Sequence, residues 1–257
     1  MFSICVLCYG SYTELAHRCL LSIADAYPEF STYVKDVRIG LNSVCEDTDR
    51  FVRAWANSVV AVHSIPVHFV APVWPEGVPA YKYPTMRKMF RFPGAPLADR
   101  VMWFDDDSFL GGYRGSWWAS VDKRTVGSVA GEIQILAKKP QQQVWIERQP
   151  WYTGKGSPER FMFVQGGWWV APSDFILNND WPWPELRHCG GDSMFGELCL
   201  QRNMPMTPFY SGVHINANAA GVNSAAKRRG YSEDVFASSD APPGPIFDHV
   251  RIWSVLP

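Results

Sequence analysis

Residues 101–110 read VMWFDDDSFL, so four apolar residues run straight into Asp105, Asp106 and Asp107. The apolar run is short and continuous, as a central strand of a parallel sheet should be. Three adjacent carboxylates at its end carry a cost: at a spacing of ~5 Å and an effective dielectric of ~20, each like-charge pair repels by roughly 3 kcal/mol. A bound cation offsets that repulsion. The triplet is therefore read as the seat of an oxygen-ligated divalent ion, held by one or two carboxylates with phosphate oxygens completing the shell. Side chains alternate along a strand, which puts Asp105 and Asp107 on one side and Asp106 on the other. A solvated acidic turn is the competing reading. An EF-hand is excluded, because neither the glycine nor the glutamate of such a loop falls at the required offset.

The segments before the triplet alternate between strand and helix. Residues 3–9 (SICVLCY) read as a buried first strand ending at Gly10, and apolar positions three to four apart make a helix over residues 15–27. Residues 36–42 (DVRIGLN) form a second strand, residues 49–60 a helix and residues 65–71 (IPVHFVA) a third strand. This alternation predicts an α/β domain with a parallel sheet. The Pro-rich residues 70–84 break the rhythm, and a basic helical patch, TMRKMFR at 85–91, precedes the fourth strand. Arg87, Lys88 and Arg91 fall within about one helical turn of each other on that patch. In open parallel sheets ligands gather outside the carboxyl ends of the strands, which is where the triplet lies. Beyond it the chain is rich in Trp, Gly and Pro, with no linker-like stretch, so one continuous fold is expected.

Composition limits the partners. Of 257 residues 47% are hydrophobic, and 24 Lys and Arg against 25 Asp and Glu leave a formal net charge of −1. That balance gives no bulk attraction to nucleic acid or anionic membrane. No apolar run approaches the ~20 residues of a membrane span, and MFSICVLCYG lacks a signal-peptide pattern, so a soluble, cytoplasmic protein is expected. The six cysteines are expected to be reduced. Cys5 and Cys8 make a C-x-x-C, but inside an apolar strand and without a second pair at zinc spacing.

WFDDDSF resembles the aspartate-any-aspartate motif that follows a hydrophobic strand in the GT-A fold glycosyltransferases, in the triplet form found in inverting enzymes. Three further segments follow in that family's order. FVQGGWWVA (163–171) is similar to the glycine-pair segment lining the acceptor side. GGDSMFGE (190–197) resembles the acidic motif that opens a helix, with Asp192 at the catalytic carboxylate. Val213, His214 and Ile215 look like the late strand whose histidine completes the metal shell. The resemblance spans the chain to about residue 236.

It implies a mixed, mostly parallel central sheet flanked by helices, in a single domain over 1–257. Residues 1–110 would be the nucleotide-sugar half and 111–257 the acceptor half. Asp105, Asp107 and His214 would hold Mn²⁺ or Mg²⁺, and mixed oxygen and nitrogen ligands favour Mn²⁺ slightly. The metal would neutralise the leaving diphosphate of a nucleotide diphosphate sugar. Tyr9, Gly10 and Asn42 would border the base or ribose, with Asp105 and Asp106 also toward the donor. Arg87, Lys88 and Arg91 would hold diphosphate or donor sugar, with a solvated helix face as the alternative. Gly166, Gly167, Trp168 and Trp169 would line the acceptor site. Adjacent tryptophans on a strand cannot share a face, so one is expected to offer a stacking surface.

Asp192 is the candidate base for the acceptor hydroxyl and equally a candidate N-cap, with Glu197 as the fallback base. The sequence departs from the family's acidic pair, since Gly191 precedes Asp192. Lys227, Arg228 and Arg229 would close over the donor phosphates or form an exposed turn. Rival functions are a haloacid-dehalogenase-like phosphatase with Asp105 as nucleophile, and a non-catalytic carbohydrate-binding protein. The acceptor is left as a glycan, a protein or a hydroxymethylated base in viral DNA.

Overall fold

The computed structural model describes residues 1–25, 29–76, 80–112, 116–138, 140–147, 149–184, 186 and 190–223. In chain order these form β1 (Phe2–Tyr9), α1 (Thr13–Asp25), α2 (Phe30–Tyr33), β2 (Val34–Asn42), α3 (Glu46–His63), β3 (Val67–Val70), α4 (Lys82–Phe90), β4 (Arg100–Asp105) and β5 (Phe109–Leu110). The later elements are α5 (Trp117–Arg124), β6 (Val129–Ala137), α6 (Pro140–Glu147), β7 (Arg160–Pro172), α7 (Ser173–Asn178), α8 (Gly191–Gln201), β8 (Met206–Pro208) and β9 (Val213–His214).

Among the described residues the main sheet runs β3-β2-β1-β4-β7-β6-β8. Strands β3, β2, β1 and β4 are mutually parallel. β7 enters antiparallel between β4 and β6, and β8 runs parallel to β6. The expected mixed, mostly parallel α/β sheet is present. No helix among the described residues is long and apolar enough to cross a membrane.

Every residue of β1 is buried, because helices cover both faces of the sheet. Ile4, Val6 and Cys8 point into a core shared with α1 and α3, and Cys5, Leu7 and Tyr9 into one shared with α4 and α8. Cys5 and Cys8 thus lie on opposite faces and cannot act on one ion. Burial pushes the Cys5 thiol well up, which makes it inert as a thiolate.

The two-sided burial continues in β7 and corrects one expectation. Trp168 and Trp169 do point to opposite faces, but both faces are covered, and neither ring reaches solvent. Trp169 stacks on Trp103 of the neighbouring strand, with ring centroids 6.1 Å apart.

Helix α4 starts earlier than its sequence suggests. Pro84 is its third residue, where the missing N–H has no intrahelical partner to lose, so the helix reaches back to Lys82. Its far end is held by a buried arginine. Arg38 on β2 pairs with Asp36 at 2.7 Å and donates to the carbonyls of Met89 and Ala95, both at 2.6 Å. A guanidinium there satisfies a terminal helix carbonyl and complements the helix dipole.

Candidate active site

Tyr9, Gly10, Asn42 and Asp105 stand together at the carboxyl ends of the parallel strands β1, β2 and β4. Gly10 adopts φ +47°, and its N–H and carbonyl bond to the Asn42 carbonyl and the Cys45 N–H. Such a left-handed turn favours glycine. The Tyr9 side chain is buried in the core below. Asn42 is fully buried; its amide donates to the Tyr81 carbonyl at 3.0 Å and accepts from the Thr85 hydroxyl at 2.6 Å. It fastens the end of β2 to the start of α4.

The aspartate triplet does not alternate as a strand would. β4 stops at Asp105, and a turn follows in which the Ser108 N–H donates to the Asp105 carbonyl at 2.9 Å. The three carboxylates therefore sit in different surroundings. Asp106 is buried, with Oδ2 accepting from the Tyr9 N–H at 2.9 Å, so it lies against the end of β1. Asp107 is also buried, and its carbonyl accepts from the Ala217 N–H at 2.8 Å, which docks the segment after β9 on the triplet. Asp105 keeps partial exposure. Its Oδ1 accepts from Trp103 Nε1 at 3.0 Å and its Oδ2 from Lys82 Nζ at 2.7 Å.

Lys82 leads to the second half of the site. Its ammonium also donates to the Gly166 carbonyl on β7 at 2.8 Å. A Cβ on Gly166 would lie 2.9 Å from Asp192 Oδ2 and 3.4 Å from Lys82 Nζ, so the carboxylate and ammonium share one glycine's surface. Asp192 is the second residue of α8, whose N-cap is Gly190, and so it is not the cap. Gly191 allows α8 to meet α4, since a Cβ there would fall 1.9 Å from the Tyr83 ring. The Tyr83 hydroxyl reaches to 3.5 Å of Asp192 Oδ1. An apolar wall of Met86, Trp169, Trp181 and Phe195 backs the carboxylate. Burial pushes the Asp192 carboxyl above its ordinary range, and the Lys82 charge opposes that shift.

No family model matches the sequence, and no curated protein matches it. Solved structures do match the fold. The mannosyltransferase PcManGT of Pyrobaculum calidifontis, solved with GDP-Man and Mn²⁺, aligns with 98% of this chain and 68% of its own at TM-score 0.58 and 15% identity. TarS 1–349 of S. aureus, solved with UDP-GlcNAc, aligns with 97% of this chain and 70% of its own at TM-score 0.51 and 10% identity. This chain has the GT-A fold.

Several residues that the GT-A resemblance assigned to the site are engaged in other contacts. Arg87 and Arg91 both pair with Asp180, at 2.9 and 2.8 Å, and donate to the carbonyls of Pro182 and Trp181. They clamp the turn after α7 rather than face the triplet, and Lys88 is exposed. His214 is exposed at the edge of the small β5–β9 sheet, with its ring stacked on Phe109 at 4.5 Å. Gly167 lies under the late segment; a Cβ there would be 2.6 Å from Ile215 Cγ2. Lys227, Arg228 and Arg229 are outside the described residues.

Among the described residues no three His, Cys, Asp or Glu side chains are grouped to hold a metal ion. The Asp105–Asp107–His214 shell is thus not preassembled. A hard cation completed by diphosphate oxygens needs only one or two carboxylates, and the triplet still supplies those.

Glu197, the fallback base, is committed to a separate buried cluster. Its Oε1 accepts from Lys138 Nζ at 2.7 Å, and both side chains are 1% exposed. Burial raises the Glu197 carboxyl above its usual range, with Lys138 opposing the shift. Removing one member of such a pair strands the other, at a cost of about 3 kcal/mol. Glu197→Gln is expected to lose stability of that order in urea unfolding while donor turnover changes by less than about threefold. A large loss of turnover in a well-folded variant would make Glu197 part of the chemistry.

Proposed function

We propose that this chain is a glycosyltransferase that moves a sugar from a nucleotide diphosphate sugar to a hydroxyl acceptor with inversion. The observation that carries this reading is the placement of Asp192 against Gly166, one ammonium away from Asp105 at the donor end of β4. A base and a strand-end acidic cluster share one site in a GT-A frame. In the step, the acceptor oxygen attacks the anomeric carbon, the bond to the diphosphate breaks, and the acceptor proton passes to Asp192. The raised carboxyl suits it to that role.

Tyr9, Gly10 and Asn42 form the floor under the nucleotide, Asp105 borders the donor, and the Gly166–Gly167 backbone faces the acceptor. Asp107, with diphosphate oxygens, would hold Mg²⁺ or Mn²⁺, which supplies positive charge to the leaving group when bound. Residues 1–110 serve the donor and 111–257 the acceptor, within one domain. The acceptor is a hydroxyl on a glycan, a protein or a hydroxymethylated base; a net charge of −1 weighs against DNA. The setting proposed is the cytoplasm. The phosphatase reading lacks support from the fold, because the acidic motif ends the fourth strand in sequence and not the first.

Thermal shift with GDP-mannose and UDP-N-acetylglucosamine, each with and without Mn²⁺, tests the reading. A ligand at a hundred times its Kd stabilises by ~2.7 kcal/mol. At least one of these, or of a wider panel of nucleotide diphosphate sugars, is expected to raise Tm by several degrees with Mn²⁺, and Asp107→Ala is expected to abolish the shift. No stabilisation by any donor would end the proposal.

A further inference from the structure

Lys82 is a lysine almost wholly removed from water, at 8% exposure. A buried ammonium is costly unless its donors are satisfied. A buried ion pair, moreover, is poor evidence of a stabilising role, since apolar residues of similar volume often serve as well. Its location points to a different use. Strands β4 and β7 pair residue by residue from Arg100↔Pro172 up to Phe104↔Trp168, and there the ladder ends. Beyond that register lie Asp105 on one strand and Gly166 on the other. Lys82 Nζ fills the fork, at 2.7 Å from the Asp105 carboxylate and 2.8 Å from the Gly166 carbonyl. Without it two acceptors would face each other with no donor between them. Gly166 in turn carries Asp192 on its surface, because the space a Cβ would need is taken by that carboxylate.

We infer that Lys82 is a positioning residue that spans the fork between β4 and β7 and so fixes the donor-side Asp105 relative to the acceptor-side Asp192. The inference rests on the glycosyltransferase reading for its catalytic consequence, though not for its geometry. Lys82 acts through the two carboxylates and needs no contact with substrate. Lysine suits the fork because a compact ammonium can donate to two oxygens on different strands; the planar guanidinium of arginine cannot reproduce both contacts in the same space.

The test uses Lys82→Met, which keeps the stem and removes the ammonium, and Lys82→Arg, which keeps the charge and protects the test if the first variant fails to fold. Hydrolysis of GDP-mannose or UDP-N-acetylglucosamine, with water standing in for the acceptor, supplies kcat and KM. In both variants kcat is expected to fall about 30-fold with donor KM within about threefold, as misplacement of a reacting group requires. In a cycle with Asp192→Asn the losses should not add, so that each double variant is about as slow as Asp192→Asn alone. Crystal structures of the variants should show the Asp105 carboxylate turned from Gly166 and Asp192 displaced. Full rescue by Lys82→Arg, multiplicative losses in the cycle, or unmoved carboxylates would each overturn the inference. Wild-type protein that turns over no donor would instead sink the proposed function, and the crystal structures would still decide the role of Lys82.

Discussion

Asp192→Asn is expected to slow donor turnover by about 10³-fold, within the range that general acid–base catalysis supplies, and at the same time to stabilise the protein. The two effects have one cause. Burial against Met86, Trp169, Trp181 and Phe195 raises the carboxyl, so the folded state prefers it protonated. A group with a raised folded pKa contributes its full stability below its unfolded pKa of about 3.9 and loses that contribution as pH rises through the folded value. At pH 7, above the unfolded value, the buried carboxyl therefore weakens the fold, and the neutral amide removes the penalty. Melts of the variant should exceed those of the wild type at pH 7 and converge with them near pH 3.5. Turnover by the wild type should fall as pH drops through the same raised value, because only the ionised form accepts a proton. A variant that melts lower at pH 7 and keeps turnover within tenfold would make Asp192 a structural residue of α8.

The strands of the donor half were legible as strands because β1 and β4 are buried on both faces and read as continuous apolar runs. Strand alternation misled at the triplet, where it was extended past the last paired residue into a turn. Lys82 was passed over because Pro84 reads as a breaker, although the first turn of a helix tolerates it. A lysine flanked by Tyr81 and Tyr83 just before a helical patch was the available signal. Arg87 and Arg91 do share a helix face, as their spacing implies, but their partner Asp180 lies about 90 residues away in sequence. Spacing along a helix gives the face and not what meets it. Likewise the adjacent tryptophans of β7 were correctly split between faces, while the depth of cover on each came only from the packing of both cores.

Gly166→Ala isolates the geometry of the site from its stability. The residue lies within β7 and has no left-handed φ, so its backbone accepts a side chain, and alanine in a strand is favoured over glycine by roughly 0.5–1 kcal/mol. The added carbon would meet Asp192 Oδ2 at 2.9 Å and Lys82 Nζ at 3.4 Å, which are the ends of flexible side chains. The fold can yield by moving those two groups, and they are the ones the proposed chemistry needs in place. Turnover is expected to drop about 100-fold, since a displacement of about 1 Å in a reacting group costs that much, with Tm unchanged within about 2 °C. Gly191→Ala provides the contrast: its carbon would fall 1.9 Å from the Tyr83 ring, and that ring is packed edge-on against Trp181. Relief there requires α8 and α4 to part, so overpacking should cost about 2 kcal/mol and lower Tm. Equal activity in Gly166→Ala and wild type would mean that Asp192 can leave its place on β7 without consequence, and the base would have to be sought elsewhere.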